Sequence, residues 1–185
     1  MPFTETWTEE LVAEWLIIQN YVVDVLLPIA VAKDIGGRFE ADVVGVKVLN
    51  GRLNIFHIEV GQLIRSPDEN INALKKKFSS DVQSTLIKYY ASIFGFDEKT
   101  VEYSKLYIAS YCSNPTIEKA KKDVGLEITM LDVFIKKKVI PALEQWKCNP
   151  ESFNPKTKTD ALLPPQSCWL LQLIDYLRKK GLMSV

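Results

Sequence analysis

Residues 38–62 read R-F-E-A-D-V-V-G-V-K-V-L-N-G-R-L-N-I-F-H-I-E-V-G-Q. Two runs rich in Val, Ile and Leu flank Asn50-Gly51, a pair suited to the positive φ angles of a type I′ turn. The stretch therefore predicts a hairpin with strands over 38–48 and 53–60. Side chains alternate along a strand, so Arg38, Glu40, Asp42 and Val44 share one face of the first strand, and His57, Glu59 and Gly61 one face of the second. Asp42 and Glu59 each stand in an apolar run. A carboxylate turned toward a core is costly unless it is paired or bound to a cation. Two such groups on paired strands suit a hard divalent ion with oxygen ligands. If that side of the sheet faces solvent instead, both are ordinary surface acids.

Outward from the hairpin, the chain predicts an α/β fold with a central mixed β-sheet flanked by helices. Leu11, Trp15, Ile18 and Val22 recur at helical spacing, with Thr8 as the expected N-cap and Glu9 and Glu10 in the first turn. Val22–Ala32 predicts a strand around Pro28, and Gly36-Gly37 a turn. Ser66-Pro67 opens a helix that continues to Phe94, either unbroken or with a break. Tyr103–Tyr111 predicts a strand, Thr116–Val124 a short helix, Leu126–Thr129 a short strand and Leu131–Trp146 a helix. Lys147–Pro165 is polar and proline-bearing, and is expected to be a loop excursion before a final amphipathic helix over Ser167–Lys180. Trp169, Leu170, Leu173, Ile174 and Leu177 of that helix form an apolar stripe that packs either internally or in a homodimer. With 185 residues, the chain is expected to be a single domain with one substantial core.

Composition narrows the function. Lys and Arg together number 23, as do Asp and Glu, so the net charge is zero. This argues against a purely electrostatic nucleic-acid coat, while segregated charge still permits DNA binding. Cys112, Cys148 and Cys168 are widely spaced and form no C-x-x-C pair, which disfavours a zinc knuckle or a redox motif. The N-terminus carries no recognisable signal segment, and the apolar run near Val22–Ala32 is broken by Asp24 and Pro28. An intracellular, cytoplasmic protein with no membrane partner is expected. No P-loop or dinucleotide fingerprint occurs. His57 is the only histidine, so a nucleophilic scheme needing histidine must centre there.

The order of parts resembles the PD-(D/E)XK nuclease superfamily. T-E-E-L-V-A-E-W-L-I-I-Q-N-Y resembles its first helix, G-G-R-F-E-A-D-V-V-G carries Asp42 at its Asp motif, and H-I-E-V-G carries Glu59 at its E-x-K motif. The resemblance covers roughly residues 5–111 in motif order and is strongest over 36–62. It implies a restriction-endonuclease-like core and a metal-dependent phosphodiester hydrolase acting on DNA. In that reading Asp42, Glu59 and the carbonyl of Val60 ligate Mg²⁺ or Mn²⁺, and a first-helix glutamate, Glu9 or alternatively Glu14, completes the site.

The chain departs from the family at Gly61, which stands where the motif lysine belongs. Four explanations remain open. Gln62 reaches in if the strand bulges at Gly61; a lysine arrives from elsewhere, Lys47 or one of Lys75, Lys76 and Lys77; His57 assists; or catalysis is lost and the domain binds nucleic acid or a partner protein. Lys75, Lys76 and Lys77 are also the expected DNA contacts.

Overall fold

The computed structural model describes residues 4–29, 39–148, 164–165 and 167–183. Helix α1 (Trp7–Ile18) is followed by strands β1 (Val22–Ile29), β2 (Phe39–Leu49) and β3 (Arg52–Leu63). Helices α2 (Pro67–Lys77) and α3 (Ser80–Phe94) lead to β4 (Glu102–Cys112), α4 (Asn114–Asp123) and β5 (Ile128–Met130). Then come α5 (Leu131–Phe134), a π-helical segment (Ile135–Val139), α6 (Ile140–Cys148) and α7 (Trp169–Lys179). The five strands lie in the order β1-β2-β3-β4-β5. The first two pairings are antiparallel and the last two parallel, so the expected α/β fold with a mixed sheet flanked by helices is present. The expected turn at Gly36-Gly37 and residues 149–163 of the expected excursion lie outside the described residues.

Local chemistry explains most of these boundaries. Asn50 and Gly51 have φ angles of 51° and 74°, the two left-handed positions a type I′ turn demands. Thr6, two residues before the expected Thr8, caps α1 through a reciprocal capping box with Glu9. Ser66 and Glu69 form the same device on α2, with Pro67 in its first turn. The break between α2 and α3 falls at Phe78 and Ser79, and Ser79 caps α3 by accepting from the Val82 N–H.

The sheet carries apolar packing on both faces. On one side Leu11 and Leu16 of α1 meet Val43, Ile58 and Ile108, joined by Phe134, Leu143 and Leu171 from α5, α6 and α7. On the other, α3 covers Val44, Val46, Leu53 and Ile55, while α2 and α4 cover Leu63, Tyr107 and Ala109. Each fully buried leucine or isoleucine contributes about 1.5–3 kcal/mol relative to exposure. The final helix splits its stripe: Leu170 and Ile174 are buried, Trp169 and Leu173 exposed. Among the described residues no helix is long and apolar enough to cross a membrane.

Candidate functional site

The β2–β3 ladder ends at Val43↔Ile58. Continuing that register by one residue sets Asp42 opposite Glu59, on the face covered by α2 and α3. There the backbone ladder gives way to side-chain bonding, because the Val60 N–H donates to Asp42 Oδ2 at 2.8 Å. Lys77, the last residue of α2, reaches both acids. Its Nζ lies 3.4 Å from Asp42 Oδ2 and pairs directly with Glu59 Oε2. The two acids expected to converge therefore do so, around one ammonium group.

Glu59 and His57 are both fully buried. His57 Nε2 is 2.8 Å from Glu59 Oε1, and His57 Nδ1 is 2.8 Å from the Tyr103 hydroxyl. Burial alone would raise the Glu59 carboxyl, but the His57 hydrogen bond and the Lys77 charge outweigh it and hold the group below its usual value. Asp42 goes the other way. Burial first, then the negative charge of Glu59, push it up to about 7 against the pull of Lys77 and the Val60 N–H. Burial pulls the Lys77 ammonium down, and the charges of Glu59 and Asp42 more than reverse this. The result is one ionised carboxylate, one carboxyl poised near neutrality and one firmly charged amine.

Gly61 explains the missing motif lysine. A Cβ there would lie 2.9 Å from the Tyr107 hydroxyl oxygen, so tyrosine on β4 fills the space a side chain on β3 would need. Burial, then Asp42 and Glu59, raise the Tyr107 hydroxyl pKa, which keeps it protonated beside the acids. We predict that Gly61→Ala lowers stability by about 1–3 kcal/mol, the usual cost of overpacking, and that adding Tyr107→Phe recovers only part of the loss, because the φ of 158° at Gly61 also disfavours a side chain. Equilibrium urea unfolding of the single and double variants checks both.

The register does shift between Gly61 and Gln62, but the extra residue is Ser110 on β4. Alternation along β3 is thus unbroken: Leu63 packs with α2 on the side of Glu59, and Gln62 is exposed. This corrects the expectation that a bulge delivers Gln62 to the site. Lys47 donates to the Gln19 carbonyl at 2.9 Å and lies over the Tyr21 ring, closing the end of α1 on the opposite face. Lys75 and Lys76 are exposed, whereas Lys77 turns inward, so only the first two remain as surface cations.

Glu9 and Glu14 are also placed elsewhere. Glu9 Oε2 accepts from the Glu5 and Thr6 N–H groups at 2.9 and 3.3 Å, completing the capping box. Glu14 accepts from the Leu170 and Leu171 N–H groups at 3.1 and 2.8 Å. Helix α1 packs on the face away from Asp42 and Glu59, which corrects the expectation that one of its glutamates completes the site. Leu26, opposite Asp42 on β1, has a φ of 50°, a left-handed conformation costing a leucine about 1–3 kcal/mol. No sequence signal marks it.

No family model matches the chain, and no curated protein does. Among solved structures it is similar to a protein of unknown function, AF1548, with 16% identity over 94% of this chain and 77% of that one, at a TM-score of 0.40. That likeness carries no inference about function.

Proposed function

We propose that the chain is a metal-dependent phosphodiester hydrolase acting on DNA, built on the PD-(D/E)XK plan with its lysine supplied by α2. One observation carries this reading: Lys77 meets both Asp42 and Glu59, so an acid–acid–lysine set that is broken in the linear motif is complete in space. The donor chemistry fits Mg²⁺ or Mn²⁺. Two carboxylates on adjacent strands are hard oxygen donors, and burial together with the neighbouring Glu59 charge raises Asp42 to about 7. Among the described residues no group of three or more His, Cys, Asp and Glu is arranged to hold an ion. Asp42 and Glu59 would therefore be joined by backbone oxygen, such as the Val60 carbonyl, and by water.

When bound, the ion would lower the pKa of a coordinated water and polarise the scissile phosphate. Glu59, kept ionised by His57 and Lys77, holds negative charge at the bottom of the site. Asp42 is anchored by the Val60 N–H, which fixes its second oxygen relative to Glu59. The Lys77 ammonium, held between the two acids, would neutralise a non-bridging phosphate oxygen as charge develops. Lys75 and Lys76, exposed on the adjoining turn, supply sequence-independent attraction for the phosphate backbone.

Incubating the protein with supercoiled plasmid and Mg²⁺ or Mn²⁺ tests the reading. Cleavage is expected, and Asp42→Asn and Glu59→Gln should each reduce it by roughly a thousandfold, the upper range for removing one preorganised charged group. A second reading, a silent domain that binds nucleic acid, draws on the inward ion pairs of Lys77, which already balance the acids without a metal. Metal-independent DNA binding with no cleavage would favour it.

A further inference from the structure

We propose that Tyr103 and His57 form an orienting pair for Glu59, committing its Oε1 to the imidazole so that Oε2 is presented to Lys77 and Asp42. The inference rests on the acid pair being the working site. Glutamate has three rotatable side-chain bonds, and fixing them in one arrangement opposes considerable rotamer entropy. The fixing force is visible. His57 is fully buried, both of its ring nitrogens are bonded at 2.8 Å, and its ring packs against Phe78 with centroids 4.8 Å apart.

Donor and acceptor roles follow from chemistry. An ionised carboxylate only accepts, so Nε2 must carry the proton it shares with Glu59. With the proton on Nε2, Nδ1 of the neutral ring is left as an acceptor for the Tyr103 hydroxyl, which burial keeps protonated. The chain Tyr103 O–H to Nδ1, then Nε2–H to Glu59, fixes one tautomer and one carboxylate orientation. Tyr103 and His57 are thus positioning residues that touch the reacting atoms only through Glu59. Metal-binding side chains held by such outer partners lose roughly 10–100-fold in affinity when the partner is removed.

The chain has a single histidine, so ¹⁵N-labelled protein gives one imidazole pattern in long-range ¹H–¹⁵N spectra. The expected result, with no metal added, is the Nε2–H tautomer without averaging, and a downfield shift of Nδ1 in Tyr103→Phe. A Nδ1–H or averaged pattern overturns the proposal. Mn²⁺ alone, titrated by electron paramagnetic resonance, supplies the second readout. His57→Gln, which can still donate near the Nε2 position, should retain affinity within about threefold, while His57→Leu loses roughly 10–100-fold. Undiminished affinity in a folded His57→Leu overturns the orienting role. A wild type that shows the tautomer but binds no Mn²⁺ sinks the metal reading and leaves the orienting pair standing.

Discussion

Lys77→Met is expected to lower stability by about 3 kcal/mol and to abolish DNA cleavage. Methionine fills nearly the same volume, so little packing is lost. What goes is the cation between Asp42 and Glu59. Removing one partner of a buried ion pair costs about 3–5 kcal/mol, because the other partner stays desolvated and unpaired. The Lys77 side chain is 31% exposed, which puts the expected loss at the lower end. Glu59 would keep His57 on one oxygen and lose its cation on the other, facing a second acid across the strands. A divalent ion offers the lost charge, so Mn²⁺ should raise the melting temperature of Lys77→Met by more than that of the wild type, as binding to the native state requires. Thermal unfolding with and without Mn²⁺ measures both effects. A variant as stable as the wild type and indifferent to Mn²⁺ would mean that the acids are not coupled through Lys77, and the proposed site would fail with it.

What was legible in the sequence follows the range of the interactions involved. Alternation and the Asn50-Gly51 turn are local, and they suffice to set Asp42 and Glu59 on one face. Lys77 was legible in part. With about 100° per residue, it lies roughly 60° from Leu74 on α2, while Lys75 and Lys76 lie roughly 100° and 160° away. Lys75, however, lies roughly 40° from Ile71 and 60° from Phe78, where Lys77 lies roughly 120° and 100° away, so helical spacing does not single Lys77 out; only the packing of α2 on the sheet shows which lysine turns toward the acids. The Thr6–Glu9 capping box was also written locally, and it explains why Glu9 is occupied at the helix start instead of the site. Gly61 is different. Its reason is the Tyr107 hydroxyl on β4, and the parallel β3–β4 pairing that brings them together spans two helices. The left-handed Leu26 has no local cause at all, since leucine is among the residues least suited to that conformation.

Glu14 is expected to make the protein lose stability as pH rises from about 4.5 to 7. The side chain is 1% exposed and caps α7 from another helix, with both oxygens on backbone N–H groups, while the N-cap residue Cys168 offers no side-chain bond. Burial pushes the Glu14 carboxyl up to about 7, against the pull of the Leu171 and Leu170 N–H groups. In the unfolded chain it titrates near its ordinary value of 4.5. Between those values the native state holds a proton that the unfolded state has released, so the stabilisation is complete below 4.5, declines through the window and is gone above about 8. Linkage makes the decline about 3 kcal/mol for this group. Asp42, raised to a similar value, adds a parallel slope. Glu14→Gln, which cannot titrate, should therefore flatten about half of the pH dependence measured by urea unfolding between pH 5 and 8. Glu14→Ala should cost about 2–5 kcal/mol, since it strands two buried N–H donors, and it should speed hydrogen exchange at Leu170 and Leu171 ahead of the sheet. Wild-type stability that is flat or rising across that window would show that the carboxylate is ionised at its cap throughout, and that α7 is held by charge and not by a shared proton.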